Sequence, residues 1–317
     1  MSSTADVLAP LGNPKRSGEE GVQVAVLMAT YNGRSWIEEQ VCSILNQRGV
    51  VVMLVVSDDL STDGTWEWLQ ELAAQDQRVR LLPHVGRFGG AAKNFFRLIR
   101  DVDFSCYDYI ALADQDDVWH DDKLKVAHES IVEGRYAAYS GNVTAFWPDG
   151  RQLLINKAQP QRKYDFLFEA AGPGCSYVLR VSAALGFKEF LQKNWLAVNE
   201  VALHDWLIYA WFRANRMGWY IDERPKIQYR QHGGNQVGAN QGLRAMRGRL
   251  KMIRSGWYRV EISRIASLLA AQLSELPASI PARGEVPRLF LLRHITEVRR
   301  RVRDRLVFLF AIMLGFY

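Results

Sequence analysis

Cysteine is scarce in this chain. Its 317 residues hold three, Cys42, Cys106 and Cys175, far apart and odd in number. They form neither a metal-ligand pattern nor a disulfide framework, and they favour a reducing compartment such as the cytosol. Apolar runs long enough to span a bilayer are also lacking. The apolar end, residues 306–317, is about twelve residues, short of the roughly 20 that a spanning helix needs. No Gly-x-Gly-x-x-Gly follows the first apolar run and no Walker sequence occurs, which argues against a dinucleotide dehydrogenase and a P-loop enzyme. Zinc-ligand patterns and RNA-binding aromatic motifs are missing, so nothing favours nucleic acid as a partner. Residues 1–21 are rich in Ser, Pro, Gly and charge and carry no apolar core of a signal peptide. They read as a loose tail.

What is present is an ordinary globular composition, 48% hydrophobic and 23% charged. The net charge of +6 is uneven. Residues 241–317 hold 15 Lys and Arg against 5 Asp and Glu, whereas the rest of the chain holds 25 against 29. A basic C-terminal quarter is suited to an anionic surface.

Residues 22–29 are an apolar run that reads as a strand, followed by a turn at 30–33 and a helix with Trp36, Ile37, Val41, Ile44 and Leu45 on one stripe. Residues 50–56 are almost continuously apolar, the signature of a strand buried on both faces of a parallel sheet. A polar turn at 57–65 leads into a helix with Trp66, Leu69 and Leu72, with Asp63 as its expected N-cap. A short strand at 79–82, a helix at 91–100 after Gly89-Gly90, and a strand at 107–112 follow. Strand and helix alternate four times in about a hundred residues, which predicts a doubly wound α/β sheet. Residues 137–143 read as a further strand, Pro148-Asp149-Gly150 as a turn, residues 207–217 as an apolar helix, and 226–229 as a short strand.

Two acidic clusters fall at the C-terminal ends of strands. One is Asp58-Asp59; the other is Asp114-Gln115-Asp116-Asp117, 56 positions further on. A parallel sheet brings both to one edge, where open α/β sheets place their ligands. Crowded carboxylates repel one another, and a hard divalent cation, Mg²⁺ or Mn²⁺, relieves this with oxygen ligands. Without a phosphate-cradling loop, a metal is left to meet the charge of a diphosphate.

Ala29-Thr30-Tyr31-Asn32-Gly33, then Ser57-Asp58-Asp59-Leu60-Ser61-Thr62-Asp63-Gly64-Thr65, then Asp114-Gln115-Asp116-Asp117-Val118-Trp119 resemble the family 2 glycosyltransferases of GT-A fold. Lys93-Asn94-Phe95 and the run Tyr229-Arg230-Gln231-His232-Gly233-Gly234-Asn235-Gln236 are most similar to the bacterial rhamnosyltransferase branch. The resemblance spans about residues 22–240. It implies a nucleotide-diphospho-sugar transferase-like domain there, with residues 241–317 as a C-terminal helical extension. One departure is Leu60, where the family usually carries Gly; a positive φ at that turn would strain a leucine.

The resemblance also implies roles. Thr30, Tyr31, Asn32, Asp58, Asp59, Asp114 and Gln115 would line the nucleotide and donor sugar, although Asp58-Asp59 also reads as a plain turn. Lys93, Asn94 and Arg230 would approach the sugar or diphosphate. Asp116, with His232, would hold the metal, and Asp117 would either support that site or cap the next helix. Gly174, Cys175, His204 and Trp206 would lie on the acceptor side. Gly174 and Cys175 allow close backbone approach there, and Cys175, with no adjoining base, reads as a small buried residue. Asp205 would be the base that takes the proton from the attacking hydroxyl.

In the extension, residues 244–273 suggest basic amphipathic helices, 276–287 a Pro-containing linker, and 289–310 a helix with Arg299, Arg300, Arg301, Arg303 and Arg305. Arginine beside apolar residues fits an interfacial anchor on the inner leaflet, a homo-oligomer contact or a packed tail. The expected activity is metal-dependent, inverting transfer of rhamnose from dTDP-rhamnose to a cell-surface glycan or lipid-linked acceptor, in the cytoplasm and peripheral to the membrane. A UDP-galactose or UDP-glucose donor on the same fold is the rival, and a non-catalytic basic membrane or nucleic-acid binding protein is the alternative from another class.

Overall fold

The computed structural model describes residues 21–233, 252, 254–273 and 286–315. A seven-stranded sheet forms the centre, in the order β10-β6-β9-β4-β1-β2-β3. Its strands are β1 (Val22–Thr30), β2 (Val50–Asp58), β3 (Val79–Leu81), β4 (Tyr109–Ala113), β6 (Ala138–Gly141), β9 (Val178–Arg180) and β10 (Trp219–Asp222). β4, β1, β2 and β3 pair in parallel, as do β10 and β6. β9 lies antiparallel between β4 and β6, so the sheet is mixed rather than wholly parallel.

The apolar strands are buried on both faces because helices cover both. Val24, Val26 and Met28 of β1 pack with Ile37, Val41 and Ile44 of α1 (Ile37–Leu45) and with Leu124 and Ile131 of α4 (Lys123–Glu133). Leu69 of α2 (Thr65–Gln75) joins this side. Ala25 and Leu27 face the other way, toward Phe95 and Phe96 of α3 (Ala91–Asp101), Phe187 of α5 (Val181–Lys193) and Leu207 and Tyr209 of α7 (His204–Ala214). The short α6 (Trp195–Val198) links α5 to α7.

A second sheet, β5-β11-β7-β8, sits at the carboxyl edge of the first. It contains β5 (Val118–Trp119), β7 (Val143–Phe146), β8 (Gln152–Ile155) and β11 (Ile227–Arg230). The single strand expected at 137–143 is therefore two strands in two sheets. Asn142 makes the break: its Oδ1 accepts from the backbone N–H of Lys157 at 2.6 Å, and its Nδ2 donates to the carbonyl of Glu223 at 2.8 Å. These side-chain bonds replace the ladder and turn the chain.

Other expectations shift by small amounts. Gly64, at φ +89°, is the N-cap of α2, and Asp63 stands one residue earlier. Its carboxylate still accepts from the Thr65 N–H at 3.1 Å and from the Arg34 N–H at 3.0 Å, holding two loops together. Leu60 does take a positive φ, +60°.

The C-terminal helices are α8 (Trp257–Leu268), α9 (Arg288–Arg293) and α10 (Val302–Met313). The continuous helix expected at 289–310 is broken between α9 and α10. There the chain turns inward, because Arg300 is buried and pairs with Asp165 and Glu169, both at 3.4 Å. Ile262, Ile265, Leu291, Phe308 and Ile312 join the same core as the sheet, so these helices complete the domain core. Residues 274–285, most of the expected linker, lie outside the described residues, as do Gly234, Asn235, Gln236 and residues 1–20.

Candidate active site

Three carboxyl ends of strands meet at one edge. Register pairs Thr30 with Asp58 and Met28 with Ala113, so the loops after β1, β2 and β4 are neighbours. They are stitched together by side chains. Asp58 accepts from Thr30 Oγ1 at 2.9 Å, from the Ser61 N–H at 2.8 Å and from Ser61 Oγ at 2.5 Å. His84, tilted against the Trp66 ring with centroids 3.9 Å apart, lies 3.2 Å from Asp58 Oδ2. Asp59 accepts from the N–H groups of Phe88 and Gly89 and so shapes the loop before α3. Both aspartates are buried.

Asn32 holds the same loops: its N–H donates to Ser61 Oγ and its Oδ1 accepts from the Thr62 N–H, each at 2.8 Å. Gln115 clasps the Tyr31 backbone, accepting from its N–H and donating to its carbonyl, both at 2.8 Å. Only glycine at position 33 leaves room for that clasp, since a Cβ there would lie 2.3 Å from Gln115 Oε1. Tyr31 is 39% exposed, and the Arg87 guanidinium stacks over its ring and donates to its hydroxyl.

Not every expected donor residue faces this opening. Asn94 is buried: it accepts from Ser57 Oγ at 2.5 Å and donates to the Ser57 carbonyl at 2.8 Å, because its face of α3 points at the sheet. Lys93 is exposed, beside a cavity of about 350 Å³ lined by Gly90, Glu200, Ala202 and Arg264. Arg230 donates to the carbonyl of Asp116 at 2.9 Å and to Glu39, and it stacks over Phe146. It braces the acidic turn.

β5 and β11 bring the acidic loop and the His-containing loop together. They pair antiparallel, Trp119 opposite Ile227, and carry His232 to Asp116 with Nε2 and Oδ2 2.7 Å apart. His232 also stacks on Trp36, centroids 3.9 Å apart. Asp114, Asp117 and Cys175 gather beside this pair, with potential ligand atoms within 4.8 Å of one another. Burial raises the Asp114 carboxyl to about 7, and the charges of Asp116 and Asp205 add to the effect. Asp117 is raised well above the usual carboxylate range by burial and then by the charges of Asp116 and Asp114, and its Oδ2 has no hydrogen-bond partner.

A divalent cation fits this set. Asp116 and His232 supply an oxygen and a nitrogen already converged on one point, and a cation would lower the repulsion that Asp114 and Asp117 feel. Cys175 is the poorest ligand there. Burial keeps its thiol protonated. Lys123 is buried beneath the cluster. Its Nζ lies 3.5 Å from the Trp119 ring centroid without a hydrogen-bond partner, and burial lowers it to about 7.

On the opposite side stand Asp205 and His204, at the start of α7. Asp205 Oδ1 accepts from the Trp206 N–H at 2.8 Å. Burial raises its carboxyl to about 6, opposed by the Trp206 N–H and by Lys157. His204 is stacked on Phe95, centroids 4.1 Å apart; burial holds it neutral, lowered to about 3. Gly174 presses against both, and a Cβ there would lie 2.4 Å from His204 Nε2. Tyr177 donates from its hydroxyl to the Asp205 carbonyl at 3.2 Å. Trp206 is 2% exposed and donates to the Phe166 carbonyl at 3.0 Å, so it is a core residue under the site. His84, Lys123 and Tyr177 carried no sequence signal, because each acts through contacts far along the chain.

This sheet, with its acidic cluster and no phosphate loop, defines a glycosyltransferase of GT-A fold. The family model for glycosyl transferase family 2 matches residues 25–193, and the chain belongs to that family. The dTDP-rhamnosyl transferase RfbG of Shigella flexneri is 43% identical over 291 residues, 92% of this chain and 100% of that protein. The UDP-Glc:alpha-D-GlcNAc-diphosphoundecaprenol beta-1,3-glucosyltransferase WfgD of Escherichia coli is 27% identical over 158 residues, 49% of this chain and 59% of that protein. Among solved structures, S. aureus TarS 1-349 in complex with UDP-GlcNAc aligns with a TM-score of 0.55 at 14% identity. That alignment covers 87% of this chain and 73% of that one, a likeness of fold.

Proposed function

We propose that this glycosyltransferase moves rhamnose from dTDP-rhamnose onto a cell-surface glycan or lipid-linked acceptor, with inversion, at the cytoplasmic face of the membrane. The donor is inferred from the RfbG likeness along nearly the whole chain. The mechanism is inferred from one observation: the Asp116–His232 pair and the Asp205 carboxylate converge from distant parts of the chain, and Asp205 is close enough for its charge to act on Asp114.

Asp116 and His232 would hold a divalent cation, which when bound offsets the charge of the departing diphosphate. Asp205 takes the proton of the acceptor hydroxyl. That oxygen forms the new bond to the anomeric carbon on the face opposite the nucleotide, while the bond to the diphosphate oxygen breaks with its electron pair. One displacement inverts the centre. A carboxyl raised to about 6 is ionised at neutral pH and is a stronger base than an ordinary aspartate.

The test is calorimetric titration with dTDP, UDP and GDP, with and without Mn²⁺ or Mg²⁺. Metal-dependent binding that favours dTDP, lost in Asp116→Ala and kept in an inactive Asp205→Asn, is the expected result. Preference for UDP would move the donor to a hexose. Turnover by Asp205→Asn would remove that residue from the role of base.

A further inference from the structure

Among the described residues, no helix is long and apolar enough to cross a membrane. Yet α10 shows solvent an apolar stripe. Val302, Leu306, Phe310 and Met313, spaced along one side, are 65%, 62%, 59% and 66% exposed, with Val307 and Leu314 flanking them. Phe308, Ala311 and Ile312 on the reverse side are buried in the core. The face continues onto α9, where Leu289 is 60% and Leu292 45% exposed. The two helices adjoin, since a Cβ at Gly315 would lie 3.9 Å from the Arg288 guanidinium. Single exposed apolar side chains are ordinary, but a contiguous stripe is not.

Charge selects the occupant. Residues 286–315 hold seven arginines, of which Arg300 is buried in the core, against one glutamate and one aspartate. Arg288, Arg293 and Arg303 are exposed on the same two helices. A second copy of this face would bring arginines against arginines, whereas an anionic bilayer surface offers phosphate to the rim and acyl chains to the stripe.

We propose that the outer face of α9 and α10 docks on an anionic lipid surface. This deepens the reading of a lipid-linked acceptor and rests on it only for the acceptor, because docking itself needs no substrate. The face is tied to the acceptor side. Arg300 donates to the Ala170 carbonyl at 2.6 Å, and the chain from there runs to Gly174, which touches His204 and Asp205. Docking therefore sets how the base stands relative to the membrane.

The experiment is co-sedimentation of the full chain with phosphatidylglycerol-containing vesicles and with pure phosphatidylcholine vesicles, for the parent and for Leu306→Glu/Phe310→Glu. Both positions are exposed, so the variant keeps its fold, which a melting curve verifies. The expected result is pelleting with anionic vesicles only, weakened about tenfold or more in the variant, with dTDP binding unchanged. Parent protein that stays in the supernatant while binding dTDP normally would overturn the docking and leave the transferase reading intact. A parent that sediments as a dimer and a variant that sediments as a monomer, neither binding vesicles, would overturn it in favour of a second copy.

Discussion

Gly174 packs closely against His204 and Asp205, and Gly174→Ala tests whether that packing positions the proposed base. Alanine is conformationally acceptable here, because this glycine does not take a positive φ. The methyl itself is the problem. It would lie 2.4 Å from His204 Nε2, 3.1 Å from its Cε1 and 3.3 Å from the Asp205 Cβ. His204 is buried and stacked on Phe95, so shifting it disturbs that contact. Overpacking of this kind costs about 1–3 kcal/mol. With a urea m value of about 3 kcal/mol/M, a cost of about 2 kcal/mol lowers the unfolding midpoint by about 0.7 M. Turnover should fall further than stability, since displacing a catalytic group by about 1 Å costs about 10²-fold. The second variant, Gly174→Ala/His204→Ala, makes room for the methyl. His204 Nε2 has no hydrogen-bond partner, so its loss breaks no bond there. The double variant should unfold at higher urea than the sum of the two single effects predicts. Urea denaturation followed by tryptophan fluorescence, with donor hydrolysis as the activity readout, checks both statements. A Gly174→Ala protein matching the parent in midpoint and rate would refute the argument, and so would strict additivity in the double variant.

Asp205 sets a pH dependence. Its folded pKa of about 6 lies above the ordinary 3.8, so its contribution to stability is complete below about pH 4 and is lost as pH rises through 6. Turnover runs the opposite way: the carboxylate is the working form, and the rate should rise with pH and level off above about 6. A pH–rate profile flat from 5 to 8 would contradict the role of Asp205. Leu60 holds φ +60°. Leu60→Gly should therefore stabilise the fold by about 0.5–1 kcal/mol, whereas Leu60→Ala should not. Equal unfolding midpoints for the two variants would show that the turn carries no backbone strain.

Much of this architecture was readable from residues alone. Strands buried on both faces announce themselves as apolar runs, which is why 22–29 and 50–56 were plain. The order of the acidic clusters placed Asp58 and Asp114 at one edge. What the pattern left out were choices between partners distant in sequence. Nothing near residue 142 says that its side chain bonds to residues 157 and 223. Asn94 looks available in sequence, yet the face of α3 that carries it meets Ser57. The basic run 299–301 read as surface charge, but Arg300 is buried against Asp165 and Glu169, whose positions only the folded chain reveals. An amphipathic stripe tells that a helix has an inner side; it does not tell which neighbour fills it.

The C-terminal helices share one core with the central sheet, and this bears on how the protein is made. Phe308 and Ile312 lie far along the chain from Leu27 of the first strand, yet they pack in the same cluster. Contacts of such sequence separation form slowly. Glu169 waits for Arg300 in the same way, whereas Asp165 also has Arg213 at 3.2 Å. Until the C-terminal helices dock, the aromatic face above the sheet stays open and Glu169 lacks its Arg300 partner. A chain caught before that closure exposes apolar surface that favours association.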